Sequence, residues 1–298
     1  MYISTIEINL YIIYPLCSIL IGVDKGGIPG LAALGMTVLV SGHPTGGVNH
    51  TVATFVPVLL IADLGACYAY KDSVDWAIIK LITLPMIIGI FAGVILLEEL
   101  DDKQVKVTVG LALIVLAMFH FTYKYCIKKT FESATTVIKL DKIRSDSFAI
   151  ADCPKKRSDS NASTASSDGY KKRRAFLLSI CCGFVAGILT MVANVAGPIV
   201  TAYFLSLGVQ KRELNGTRAF LFLIANLIKV PVQIFLGNLV LSEIYVVVAL
   251  IFVALLATFI TERFIISHID QNTFEALSWS LVIIGALKLL SDFNYYNK

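Results

Sequence analysis

Charge is what this sequence has least of. Only 15% of its 298 residues are Asp, Glu, Lys or Arg, against 57% hydrophobic, and the mean hydropathy is +0.78. Soluble domains carry about a quarter charged residues, so the composition excludes an ordinary soluble enzyme, a disordered chain and a nucleic-acid binder. Histidine is scarce as well. The four present (His43, His50, His120, His268) sit near the ends of apolar runs without metal-ligand spacing, and none is assigned a role. The six cysteines form no CxxC pair and read as small buried hydrophobes rather than a disulfide or metal framework. No GxSxG, HExxH, P-loop or paired-carboxylate pattern occurs, so no catalytic residue, metal or cofactor is expected and the chain reads as a non-enzyme. The opening MYISTIEIN lacks a basic n-region, and a cleavable signal peptide is not expected.

Long apolar runs are what the sequence has in excess. A membrane-spanning helix needs about 20 such residues to cross roughly 30 Å of hydrocarbon. The runs fall into two sets, 8–22, 28–41, 48–70, 78–98 and 105–125, then 175–192, 196–207, 216–238, 243–265 and 274–291. In each set the opening two runs are short and are separated by Gly, Pro or polar residues, and the other three are long enough to span. Asn49-His50-Thr51 heads a long span in the first set, and Asn215-Gly216-Thr217 heads its counterpart 166 residues later. The same offset carries Asp63 onto Lys229. The expected fold is therefore an all-α polytopic membrane protein made of two inverted repeats. It has about eight transmembrane helices, with a broken, Gly/Pro-interrupted opening pair in each half. The expected boundaries are 1–127 for the first repeat, 128–174 for a linker and 175–298 for the second repeat. Transporters are commonly built from such repeats, with substrate sites at the repeat interface.

The net charge of +4 belongs to one segment. Cys126 to Arg174 holds 12 Lys/Arg and 6 Asp/Glu, which leaves the remainder of the chain at −2. The Ser-rich, charged stretch cannot bury enough apolar surface to fold alone and reads as a flexible linker. Its ends (Lys124, Lys128 and Lys129; Lys171 to Arg174) abut membrane spans, so the positive-inside rule makes it cytoplasmic. If each opening pair enters and leaves on one side, Lys71, Lys211, Arg212 and Arg263 also fall in the cytoplasm, and both termini lie outside.

Charges inside apolar runs carry the functional signal. Lys229 sits mid-span in AFLFLIANLIKVPVQIFLG, where a charge costs about 2.5–3.5 kcal/mol. It must face a partner, a cavity or a substrate. A substrate or coupling role stands beside a structural ion pair with Asp63, which is equally deep in TFVPVLLIADLGACY and reads as a proton-coupling carboxylate or as that pair's anion. GVDKGGIPG (Gly22 to Gly30) cannot continue a straight helix, and unwound backbone at membrane depth must be buried or line a cavity. Freed N–H groups of Gly26, Gly27 and Gly30, beside Lys25, would make an anion site; the bland alternative is a surface turn. The counterpart is GILTMVANVAGP, with Asn194, Gly197 and Pro198. Asn226 shares a helical face with Lys229, with Thr217 nearer the membrane edge and Gln233 one turn on, a polar stripe suited to interhelical glue or to a permeation path.

Taken in order, these segments resemble the TauE/SafE family of sulfite exporters, also called the toluene-sulfonate uptake permeases. The resemblance rests on GVDKGGIPG, the span ending in Asp63 and the VDW motif (Val74, Asp75, Trp76) in the first half. In the second half it rests on GFVAGILTMVANVAGP, YFLSLG (Tyr203 to Gly208), Gly216-Thr217 and the Asn226/Lys229 pair. It covers about 20–125 and 183–292. It implies an eight-helix carrier of small sulfur-containing anions such as sulfite, thiosulfate or sulfonates, coupled to an ion gradient. Many relatives have a histidine and a further glycine before the second Gly-Pro; this chain has Asn194 and Val195-Ala196, which bears on substrate choice or coupling. The expectation is a plasma-membrane secondary transporter, an exporter, with a proton as coupling ion. An anion channel, a carrier of another small organic anion, and a receptor or scaffold acting through the linker are the alternatives.

Overall fold

The computed structural model describes residues 2–42, 48–99, 162–239 and 244–274, with scattered positions up to 284. Among the described residues there is no strand. The helices are α1 (Tyr2–Gly26), α2 (Leu31–Gly42), α3 (Val48–Tyr70), α4 (Trp76–Glu99), α5 (Ala162–Ala193), α6 (Gly197–Ser206), α7 (Lys211–Phe235) and α8 (Ile244–Ile260). A π-turn over Thr261–Ile265 and a 3-10 turn over Ile266–His268 extend α8. The expected span 105–125, most of the run 274–291 and residues 128–161 of the expected 128–174 linker lie outside the described residues.

Five stretches are long and apolar enough to cross a membrane: His50–Tyr70, Trp76–Leu97, Phe176–Ala193, Lys211–Phe235 and Ile244–His268. Their outward faces are those of lipid-exposed helices. Leu84, Ile88, Phe91 and Ile95, at helical spacing on α4, are 53–66% exposed, and Phe252 on α8 is 69% exposed. A water-soluble protein does not display such continuous apolar stripes. Pro15, Pro57, Pro85 and Pro231 lie inside long helices; neighbouring helices satisfy the freed carbonyls in a membrane bundle.

The opening run of each half is longer than expected. α1 has 25 residues and α5 has 32, because apolar length limits the membrane-buried part of a helix and not the helix itself. α5 begins at Ala162, so the end of the 128–174 segment continues the helix beyond its apolar run. Only the second member of each opening pair is short: α2 has 12 residues and α6 has 10, about 15–18 Å at 1.5 Å per residue. Each folds back along its predecessor. Cys17 donates to the Gly35 carbonyl, and Ser179 meets the Tyr203 hydroxyl at 2.5 Å.

Small residues set the closest crossings. A Cβ on Gly22 would lie 2.3 Å from the Ala254 carbonyl oxygen, and one on Gly26 would lie 2.6 Å from that of Thr258, so α1 and α8 touch backbone to backbone. Gly89 on α4 and Gly187 on α5 face each other in the same way, with Gly93 against Ile188 and Gly183 against Ile82; a Cβ on Gly187 would lie 2.1 Å from the Met86 carbonyl oxygen. These are small-xxx-small contacts, which draw helices together where no water is available to be expelled. α3 and α7 pack against each other and each touches helices of both halves. The C-terminal end of α3 meets the N-terminal end of α7, where a Cβ on Gly216 would strike the Ser73 carbonyl oxygen, so the two run antiparallel. Exchanging the halves maps the α1–α8 contact onto α5–α4 and the α3–α8 contact onto α7–α4.

Candidate functional site

Two interruptions frame the site. The first, between α1 and α2, turns through Gly27 and Gly30 at φ +136° and +109°, conformations open to glycine without a Cβ penalty. The second, between α5 and α6, turns through Asn194 at φ +57°, a region in which Asn is the best tolerated residue with a side chain. One face of α7 connects them. Asn215, Arg218, Phe222, Asn226 and Lys229 recur every three or four residues and are all buried. That face spans about 21 Å at helical rise.

At the first break, the Asn215 amide donates to the Gly27 carbonyl at 3.2 Å and the Tyr70 hydroxyl donates to the Gly26 carbonyl at 2.6 Å. Arg218 donates to the Asp24 carbonyl, and its guanidinium lies 3.4 Å from the Asp24 carboxylate. The other carboxylate oxygen of Asp24 accepts from the Gly30 N–H at 2.7 Å. Lys25 forms an ion pair with Asp63 at 2.6 Å and lies 4.6 Å above the Phe222 ring, a cation–π contact that favours a desolvated ammonium.

Further along α7, the Asn226 amide donates to Asp63 at 2.7 Å, while its carbonyl accepts from Lys229 at 3.1 Å. Lys229 is fully buried and also donates to Thr190 at 3.2 Å and to Asn194. Asn194 in turn donates to the Val52 carbonyl of α3 at 3.2 Å. All three Lys229 N–H groups are thus directed at neutral oxygens. Asp63 pairs with Lys25 and not with Lys229, and Asn226 bridges the two. The buried charges among the described residues are Asp24, Lys25, Asp63, Arg218 and Lys229. Three cations stand against two carboxylates, an excess of one positive charge at membrane depth. Pairing the charges from one end leaves Lys229 without an anion.

The structure brings together Lys25, Gly26, Gly27, Gly30, Asp63, Asn194, Asn226 and Lys229. Pro198 is buried in the first turn of α6, and Gly197 is partly exposed at its start. Thr217 stands apart: its hydroxyl accepts the Asp75 N–H at 2.9 Å and pins the α3–α4 loop. Gln233 is buried one turn beyond Lys229, and its carbonyl accepts from Asn238 at 3.0 Å. Sequence reasoning missed Asp24, Tyr70, Thr190 and Arg218 as parts of the network. Arg218 carried a usable signal, since it lies eight residues before Asn226 on the same helical face. Asp24 carried none, because a carboxylate next to Lys25 in a glycine turn reads as one half of an exposed pair.

A family model described as Sulfite exporter TauE/SafE matches residues 14–289. No curated protein and no solved structure matches the chain.

Proposed function

The chain belongs to the TauE/SafE sulfite exporter family, a family of membrane transporters and not of enzymes, and on that premise we propose that it is a secondary carrier exporting small sulfur-containing anions across the plasma membrane. Sulfite, thiosulfate and short sulfonates are the expected substrates. The observation that carries the reading is Lys229. A buried ammonium whose hydrogen-bond partners are all neutral is stabilised by an entering anion more than by anything now around it, because Coulomb attraction is strong where water is excluded.

In this reading the halves are inverted repeats that rock about the α3–α7 pair, and the two breaks face opposite sides. Asn194 and Asn226 orient the Lys229 ammonium, and Gly197 and Pro198 let the backbone of α6 approach the substrate. Asp63 is the coupling group. Protonation of its carboxylate releases Lys25 and Asn226 together, so proton uptake and substrate movement share one network. The Lys25–Asp63 pair and the turn of Gly26, Gly27 and Gly30 then form the gate on one side.

The test is flux in liposomes on concentration jumps of sulfite, thiosulfate, sulfate and short sulfonates, with and without a pH gradient. Saturable, gradient-dependent flux that disappears in Lys229→Ala is the expected result. Unsaturable flux indifferent to the gradient would make the protein an anion channel. Silence towards every sulfur anion, in vesicles holding folded protein, would remove the substrate assignment.

A further inference from the structure

Lys25, Asp63, Asn226 and Lys229 form one continuous buried chain of polar contacts. Lys25 meets one oxygen of Asp63 at 2.6 Å, the other oxygen accepts from the Asn226 amide at 2.7 Å, and the Asn226 carbonyl accepts from Lys229 at 3.1 Å. None of the four is more than 6% exposed. With Asp63 ionised this chain holds two cations and one anion, and with Asp63 protonated it holds two cations and no anion. Asp24 and Arg218 lie against each other and leave that count unchanged.

Net charge is costly where water is excluded, so the loaded chain favours a count of zero. A monoanion that replaces the neutral oxygens around Lys229 reaches that count with Asp63 ionised. A dianion overshoots it by one negative charge, and it stands one amide away from the Asp63 carboxylate. Like charge at that range favours the protonated acid, and one proton returns the count to zero. The groups around Asp63 make it the seat of that proton. Lys25 faces it from α1 and Asn226 from α7, with Arg218 and Lys229 further along α7; Cys67 and Tyr70 follow on α3 itself. Helices α2, α5 and α8 also touch α3, and none of their buried residues among the described ones is charged. Asp24, the other buried carboxylate among the described residues, is held by Arg218 and the Gly30 N–H.

We infer that the charge of the substrate sets the proton count of the carrier: a dianion is bound together with one proton on Asp63, and a monoanion is bound with none. This rests on the proposed carriage of sulfur anions at Lys229 and divides those anions into two classes. Short sulfonates and hydrogensulfite bind as they are. Thiosulfate, sulfate and the sulfite dianion bind with a proton, which comes from solvent and is held by a carboxylate oxygen of Asp63, with no bond of the anion made or broken. The proton coupling of the carrier then belongs to the dianions, and both classes load the buried chain without net charge.

Calorimetric titration of the purified full-length protein, in buffers of different ionisation enthalpy, counts the protons taken up with each anion. Thiosulfate and methanesulfonate are the probes, because their charges of minus two and minus one are fixed near neutral pH, whereas sulfite titrates there itself. One proton is expected with each thiosulfate and none with methanesulfonate. Proton uptake makes thiosulfate affinity fall about tenfold for each unit rise in pH, with methanesulfonate affinity level. In Asp63→Asn the thiosulfate proton should disappear, together with the pH dependence of its binding. Lys25→Met combined with Asp63→Asn strands no charge and reads the same proton count if the single variant does not fold. Thiosulfate bound without a proton, or methanesulfonate bound with one, overturns the inference and leaves the carriage of sulfur anions standing. Uptake that persists without the Asp63 carboxylate overturns it as well. Binding of neither anion to folded native protein removes the sulfur-anion reading, and this inference with it.

Discussion

The break between α1 and α2 and the break between α5 and α6 face the same problem, an unwound backbone inside a membrane bundle. The first is closed with charge. Asp24 covers the start of α2, Arg218 covers Asp24, and Lys25 is answered by Asp63. The second is closed with neutral groups: Asn194 at positive φ links Lys229 to the Val52 carbonyl, and Thr190 takes another N–H of the ammonium. At the first break each buried charge lies against an opposite one, whereas at the second Lys229 has no carboxylate partner. The two breaks thus differ in kind: one pairs its buried charges with each other, and the other surrounds a buried ammonium with neutral oxygens.

The comparison breaks most decisively at the lysines. Lys229→Ala is expected to reduce sulfur-anion flux at least about a hundredfold, since a charge-assisted contact in a dry site is lost, while membrane insertion becomes easier. Quantified expression and vesicle flux check both halves of that statement. Lys25→Ala should act in the opposite sense, by stranding Asp63. Removing one partner of a buried pair costs about 3–5 kcal/mol, readable as a lower melting temperature in detergent, and Asp63→Asn in the same chain should restore most of it. A Lys25→Ala protein as stable as the native one would mean that the first break is not held by its charges.

Arg218→Met sharpens the same contrast on the structural side. It leaves the Asp24 carboxylate with the Gly30 N–H alone, and a loss of about 3 kcal/mol is expected, partly recovered with Asp24→Asn. Glycines give a smaller and cleaner comparison. Gly187→Ala puts a methyl 2.1 Å from the Met86 carbonyl oxygen and should cost about 1–3 kcal/mol by overpacking the α4–α5 crossing. Gly197→Ala meets nothing within 4 Å and should leave the melting temperature unchanged. The smallest effect is expected of Tyr70→Phe, which removes one hydrogen bond to the Gly26 carbonyl, about 1 kcal/mol.

Much of this was legible in the residues before any coordinates. Runs such as Val48 to Tyr70 and Ile244 to Ile260 announce spans because apolar length is a property of sequence alone. Gly26, Gly27, Gly30, Gly197 and Pro198 announce the breaks for the same reason, since each limits the backbone locally. The mid-span position of Lys229 and Asp63 marked both as candidates for a substrate or coupling role or for a structural ion pair. Their partners were not readable. Lys229 and Asp63 share an offset, which suggested that they pair with each other, yet Asp63 lies against Lys25 and Asn226 joins the two. Thr217 looked like part of the polar stripe, but its neighbouring position on α7 turns it towards the α3–α4 loop.

The sequence by itself determined that this chain is helical, membrane-embedded and twice interrupted, because hydropathy, helix propensity and the constraints of glycine and proline act over a few residues. Which buried charge is left over was decided only by the tertiary structure. Ion pairing depends on distances of a few ångströms between groups far apart in the chain. Here the antiparallel packing of α3 on α7 and the folding back of each short helix gave Asp24 to Arg218 and Asp63 to Lys25, and left Lys229 among neutral oxygens.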